Sequence, residues 1–275
     1  MSIILSEYHS PGLSVNWTVK KVLYEQQSDF QQVTILDLEE MGRALVLDNI
    51  IQVTLKDEFV YNEMITHVPL FTHPAPERVL IIGGGDGGAA REAAKHATVK
   101  QVDMCEIDGK VIEACREHLP ETSVSYDHPK VNLVIKDGVQ FIKDHPNTYD
   151  VIVIDSSDPI GPAVELFGAD FYNNVHRALK EDGLFVCQSE SVYFHQHIIK
   201  RVNDALKQLF PITRVYTATT PTYPGFLWSY TMASKKYDPY DRMHVEKQAV
   251  QTRYYNHDIY NACFALPNFI KEGLE

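Results

Sequence analysis

The sequence predicts an α/β protein, a doubly wound and mostly parallel sheet preceded by a small N-terminal β domain. From Arg78 to Phe210, short apolar runs alternate with stretches of helical period, as in successive strand–helix–strand units. The first of these junctions, IIGGGDGGAARE, is a glycine-rich turn between a strand and a helix. Residues 14–56, by contrast, are rich in β-branched side chains.

In chain order, SVNWTVKKVLYE, QQVTILDL, ALVL and IIQVTL read as strands, with Asp48-Asn49 as a hairpin turn between the last two. DEFVYNEMITHVPLF changes period: Phe59, Met64 and Val68, flanked by Val60 and Ile65, suit a helix that starts after Asp57 and stops before Pro69. HPAPE (73–77) reads as a linker. Then RVLIIGG precedes the helix GAAREAAKH, QVDMCEI precedes DGKVIEACREHL, and KVNLVIKD precedes GVQFIKDH. YDVIVID precedes a helix around ADFYNNVHRAL, and GLFVCQSE precedes HQHIIKRVNDALKQLF. Residues 214–219 and 227–234 are expected as antiparallel edge strands. The division is residues 1–57 for the β domain and 58–275 for the α/β domain.

The 275 residues carry 44% apolar and 23% charged side chains and a formal net charge of −12. That balance opposes non-specific nucleic-acid binding, which needs Lys and Arg on phosphates. No apolar stretch approaches the roughly 18 residues of a membrane helix. Cys105, Cys115, Cys187 and Cys263 form no CxxC pair, and MSIILSEYHS is unlike a signal peptide. The cysteines show no metal-type spacing either, and a reduced cytoplasmic protein without a metal site is expected. His195 and His197 read as decoration of a helix surface, and Trp17 and Trp228 as packing residues.

Chemistry gathers at the strand ends. Gly83, Gly85 and Gly88 match GxGxxG, which lets a ligand approach the backbone. Asp86 sits where a dinucleotide would need its pyrophosphate, against the preference of a helix N-terminus for anions; it can also cap that helix. Glu106 follows Gly83 by 23 residues, the spacing of a carboxylate that binds both ribose hydroxyls, and Asp108 can cap the next helix. Asp137-Gly138 ends the third strand, suited to an adenine amine or to a helix cap. The fourth strand runs VIVIDSSDPIGP, delivering Asp155 and Asp158 into a stiff loop. A nucleoside accounts for two of these carboxylates; the others call for cations.

GGGDGG, CEID, KDG, DSSDPIGP and PTYP, with DEFVYNEMITHVPLF upstream, together resemble the polyamine aminopropyltransferases of the bacterial spermidine synthase type, over nearly the whole chain. The resemblance implies a Rossmann-like, class I methyltransferase-type domain. Its donor would be decarboxylated S-adenosylmethionine, a co-substrate rather than a cofactor, and its acceptor putrescine. The products would be spermidine and methylthioadenosine, and the assembly a homodimer or homotetramer built partly by the N-terminal strands. Gln31, Gln52, Gly83, Gly85, Asp86, Glu106, Asp137, Gly138 and Pro162 would then hold the donor or nucleoside. Tyr61, Asn62, Asp86, Asp155, Asp158 and Tyr223 would hold the polyamine, although relatives often carry His or Gln where Asn62 stands. Asp155 would accept or orient the proton of the attacking amine, with Tyr61 or water sharing it.

Three other readings compete. A methyltransferase using S-adenosylmethionine needs a counter-ion for the donor's carboxylate, and Asp86 has the wrong sign. A nicotinamide dehydrogenase meets the same obstacle. A non-catalytic polyamine or nucleoside sensor would be separated by turnover.

Overall fold

The computed structural model describes residues 3–156, 166, 168–243 and 250–275. Strands β1 (Ile3–Ser10), β2 (Leu13–Gln27), β3 (Gln32–Leu38), β4 (Gly42–Leu47) and β5 (Ile50–Thr54) form an antiparallel sheet in chain order. Asp48 and Asn49 turn β4 into β5 with φ of 48° and 66°, a left-handed pair that tight hairpins require and short polar residues tolerate. β1 was not among the expected strands. Its one buried residue is Glu7, so no apolar alternation marks it.

Helix α1 (Glu58–Thr72) starts after Asp57 as expected but does not stop before Pro69. Pro69 has no N–H for a helical bond, a defect of about 3 kcal/mol in a helix interior. Tertiary packing overrides it, since every residue of α1 except Phe59 is buried. The Thr72 hydroxyl donates to the Val68 carbonyl and the His73 N–H to that of Pro69, closing the last turn.

The chain then alternates β6 (Arg78–Gly83), α2 (Gly88–Ala94), β7 (Gln101–Glu106), α3 (Gly109–His118), the short α4 (Pro120–Ser123) and β8 (Val131–Ile135). Next come α5 (Gly138–Lys143), β9 (Tyr149–Asp155), α6 (Ala169–Ala178), β10 (Leu179–Ser191) and α7 (Gln196–Lys207). β11 (Ile212–Thr219) and β12 (Leu227–Ser234) follow, and the chain ends in α8 (His257–Ala262) and α9 (Asn268–Leu274), which no sequence signal had separated from loop. The strand order is β11-β12-β10-β9-β6-β7-β8. β6 to β10 run parallel, and β12 is antiparallel to both β10 and β11. The expectation of two edge strands is therefore half right: β11 is an edge, whereas β12 is interior. All residues of β12 except Leu227 are buried.

The sheet separates two apolar layers. Along β9, Val151 and Val153 face the cluster containing Met64, Ile65 and Ala93, while Ile152 and Ile154 face the one containing Phe141, Phe171 and Val202. Burial on both faces explains why the central strands read as continuous apolar runs. The chain reverses its direction of growth between β6 and β9, and open α/β sheets bind ligands outside the carboxyl ends of strands at such a point.

Candidate active site

Gly83 pairs in register with Asp155 at the ends of β6 and β9. The Gly84 N–H donates to the Asp155 carbonyl at 2.7 Å. Gly83 and Gly84 have φ of +82° and +65°, and a Cβ on Gly83 would collide with the Asp155 backbone. Left-handed backbone and close approach make glycine necessary here. Gly85 and Gly88 serve packing instead: a Cβ there would meet Val111 and Glu106, or Asn62.

This junction opens into a cavity of about 260 Å³. Gln31, Gln52, Tyr61, Asn62, Gly83, Gly85, Asp86, Glu106, Asp137, Gly138, Asp155 and Tyr223 all line it. Asp158 and Pro162 lie outside the described residues. The lining is one-sided in charge: Asp48, Asp57, Glu58, Asp86, Glu106, Asp137 and Asp155 contribute carboxylates, and no Lys, Arg or His lines it among the described residues.

Burial raises the cost of that charge. Asp155 is pushed up to about 6 by burial, partly offset by a hydrogen bond from Tyr61. Asp86 is pushed up to about 7 by burial and then by the neighbouring charges of Asp155 and Glu58, against the Gly88 N–H and Arg91. Glu106 reaches about 7, again through burial first, while the Asp108 N–H holds it down. Buried acids shift upward because the ionised form loses hydration. A cationic ligand would restore the charged state.

The turn carboxylates brace helix starts, and two of them also line the cavity. Asp86 Oδ2 accepts from Gly88 N–H at 3.0 Å, so it braces the start of α2 while facing the cavity. Asp137 caps α5 through Val139 N–H at 2.8 Å and also lines the cleft. Asp108 caps α3 through Lys110 N–H at 2.9 Å, and its Oδ2 accepts from Gln31 Nε2 and the Ser28 hydroxyl. Gln31 is thereby carried from the β domain to the wall of the cleft beside Glu106 and Asp108.

On the other side, the Tyr61 hydroxyl donates to Asp155 Oδ1 and the Tyr223 hydroxyl to the Gln52 carbonyl, both at 2.7 Å. The two rings meet edge to face at 5.5 Å. Asp57 fixes the Tyr223 loop to the head of α1, accepting from Thr222 N–H and from the Thr54 and Thr222 hydroxyls. Asn62 donates to Glu58, which also binds the Arg91 guanidinium.

Several residues here escaped the sequence reading. Glu58 stands one helical turn before Asn62, on the face that Tyr61 and Asn62 already marked. Glu190 ends β10 much as Asp155 ends β9, so the ladder of strand-end carboxylates has a further rung. Glu190 and Glu7 line a small cavity that adjoins the main one through Gln52, Tyr61 and Tyr223. His195 is not mere surface decoration, because its Nδ1 lies 3.0 Å from Glu190 Oε2 at the head of α7. His197 is exposed, as expected. Trp228 packs on Tyr223 at 4.5 Å, and Trp17 donates its indole N–H to Glu7. The ligand-like group His73, Asp150 and Asp182 lies at the opposite end of β9, where Lys180 pairs with Asp150 at 2.9 Å.

Fold and lining define a Rossmann-like enzyme with an acidic cleft at its switch point. Residues 58–243 match the model of the spermine/spermidine synthase domain, and residues 3–54 that of the spermidine synthase tetramerisation domain. The polyamine aminopropyltransferase of Moorella thermoacetica is 48% identical over 99% of this chain and 96% of its own. That of Caldicellulosiruptor saccharolyticus is 46% identical over 100% and 99%. Among solved structures, a spermidine synthase in complex with the transition-state analogue AdoDATO superposes with a TM-score of 0.96 at 42% identity, covering 99% of this chain and 94% of that one. The spermidine synthase of Thermotoga maritima superposes with 0.94 at 42% identity and the same coverage. The chain therefore belongs to the spermine/spermidine synthase family, the polyamine aminopropyltransferases, and is an enzyme. Among the described residues no helix is long and apolar enough to cross a membrane.

Proposed function

We propose that the protein is a spermidine synthase that moves the aminopropyl group of decarboxylated S-adenosylmethionine to putrescine. The observation that carries this reading is the cleft lined by seven carboxylates and no cationic side chain among the described residues. Donor and acceptor are both cations, whereas S-adenosylmethionine would bring a carboxylate with no cationic side chain among the described lining residues to receive it. That lining disfavours the methyltransferase reading, and a nucleotide pyrophosphate fares worse.

In the transfer, the lone pair of one putrescine nitrogen attacks the propyl carbon next to the sulfonium. The carbon–sulfur bond breaks, its electrons neutralise sulfur as a thioether, and the new ammonium sheds a proton. Positive charge thus migrates from sulfur to nitrogen inside the acidic cleft, and carboxylates stabilise it throughout. A primary ammonium titrates near 10.4 and a free Asp near 3.9, so Asp155 is a weak base for it. Burial narrows that gap by bringing Asp155 to about 6. Its main work is to orient the attacking nitrogen, with Tyr61 or water in the proton path. Asp86 takes the donor's ammonium. Glu106 takes the ribose, and Asp137-Gly138 the adenine, with Gln31, Gln52, Gly83 and Gly85 around the nucleoside. Tyr61, Asn62 and Tyr223 line the acceptor's path. Its far ammonium goes to the adjoining cavity between Glu7 and Glu190. Asp158 and Pro162 keep their proposed contacts to the amine and the nucleoside.

No metal or resident cofactor is needed for this displacement. Residues 1–57 form the assembly unit of a homodimer or homotetramer, residues 58–275 the catalytic unit, and the site of action is the cytoplasm. One assay tests the reading: decarboxylated donor against putrescine, cadaverine, agmatine and spermidine, with product masses read out. Spermidine and methylthioadenosine as the dominant pair support it. No turnover, or a dominant product from another amine, would overturn the acceptor assignment.

A further inference from the structure

The small cavity beside the cleft, about 40 Å³, holds two carboxylate–histidine pairs. Glu7 and Glu190 are 2% and 1% exposed. His9 Nε2 lies 3.6 Å from Glu7 Oε1, and His195 Nδ1 lies 3.0 Å from Glu190 Oε2. Glu7 accepts from the Trp17 indole and from the Ile51 N–H. Neither Glu190 oxygen receives a well-formed hydrogen bond among the described residues. Glu190 has φ of +74°, at the irregularity where β10 pairs with β12. A non-glycine residue held in that conformation is strained and is kept there by its surroundings.

No Lys or Arg lines this cavity among the described residues. Its phenols are committed, Tyr61 to Asp155 and Tyr223 to the Gln52 carbonyl. Among the described residues, the other titratable groups near it are Asp155 behind Tyr61, and His197, whose ring lies 6.3 Å from that of His195. A buried carboxylate needs a partner charge. Among the described residues lining the cavity, a protonated imidazole can supply that charge, the side chain that gains and loses protons near neutral pH. When an ammonium arrives, it supplies the same charge to the same oxygens and repels the imidazolium.

We infer that His9 and His195 share an exchangeable proton beside Glu7 and Glu190, and that the far ammonium of the acceptor displaces it, so diamine binding is coupled to proton release at these two pairs. This rests on the reading of the cavity as the seat of the far amine. One positive charge enters with the ammonium and one leaves with the imidazole proton that passes to solvent, so the charge of the cavity is conserved. By linkage, diamine affinity rises with pH through the histidine range and falls about tenfold per pH unit below it for each proton displaced. An acceptor without a far amine lacks this dependence.

The test is calorimetric titration of the full-length protein, saturated with methylthioadenosine, at pH ~6.5 in two buffers of different ionisation enthalpy. Putrescine is compared with 1-aminobutane, which has the same attacking amine and no far one. The protein should release more protons with putrescine than with 1-aminobutane. His9→Gln and His195→Gln should each reduce that excess, and the double variant should abolish it. Equal proton counts for the two amines in the wild-type protein overturn the inference without any variant, and so does an excess that survives in the double variant. Turnover of putrescine, measured alongside, separates the two claims. A protein that makes spermidine yet shows equal counts refutes the proton coupling alone, whereas failure to use putrescine refutes the acceptor reading beneath it.

Discussion

The Tyr61 hydroxyl and Asp155 Oδ1 are joined by a hydrogen bond of 2.7 Å that spans from α1 to the end of β9. It ties the helix entering the α/β unit to the switch point of the sheet. Burial pushes the Tyr61 hydroxyl well above its ordinary range, with the Asp155 charge next in importance. The phenol therefore stays protonated and donates, and Asp155 accepts.

Tyr61→Phe removes that donor and leaves a buried carboxylate with less support. Asp155, already raised to about 6, moves higher. Activity needs the ionised form, so the acid limb of the kcat profile should move to higher pH by about one pH unit, equivalent to ~1.4 kcal/mol. Measured kcat profiles for both proteins check this. An unmoved acid limb would mean that Asp155 does not govern it.

Asp86→Asn should stabilise the empty enzyme at alkaline pH. The folded-state carboxyl titrates at about 7, above its unfolded value, so the stability it contributes is present in acid and lost as pH rises through 7. Asn carries no charge and escapes that loss. The gain at pH 8 is a few kcal/mol, because each tenfold change in a protonation equilibrium is equivalent to about 1.4 kcal/mol. It should vanish near pH 4. Scanning calorimetry at both pH values decides it. A constant difference in Tm would contradict the burial argument.

Glu106→Gln should weaken methylthioadenosine while leaving KM for putrescine nearly unchanged. A hydrogen bond to a charged group contributes about 1.5–3 kcal/mol, so a loss of roughly 10- to 100-fold is expected. Titration of the nucleoside into both proteins reads it directly. Equal affinities would mean that Glu106 is not the ribose ligand.

Gly83→Ala should lower both stability and kcat, because the left-handed backbone is disfavoured and the new methyl meets the Asp155 backbone. Strain of this kind costs of order 1–3 kcal/mol. Gly12→Ala is the control, since nothing lies within 4 Å of a Cβ there. A Gly83 variant no more damaged than the Gly12 one would remove the glycine turn from the account.

Features that depend on local sequence were readable in advance. The alternation of β6 to β10 with their helices follows from side-chain period, and the Asp48-Asn49 turn from the φ that those residues tolerate. Asp86, Glu106, Asp137 and Asp155 are visible because each ends a strand or stands in the turn just after one, and a doubly wound sheet brings strand ends together. Pro69 misled, because burial of nearly all of α1 outweighs one missing N–H. Glu7 and His9 were invisible for the opposite reason: β1 has no apolar pattern, and its site neighbours Ile51, Glu190 and Trp228 are remote in the chain. Glu190 could have been found by carrying the strand-end rule one strand further, into QSE.

The central claim is that Asp155 positions and relieves the attacking amine within a cleft built for cations. Its most direct test is the kcat of Asp155→Asn at saturating putrescine and decarboxylated donor, measured beside the affinity for methylthioadenosine. An amide keeps the shape but neither balances the charge nor takes a proton. The account predicts unchanged nucleoside affinity with kcat lower by about 10²–10⁴-fold, the usual scale for a positioned acid–base group. A kcat near that of the wild-type protein would contradict it.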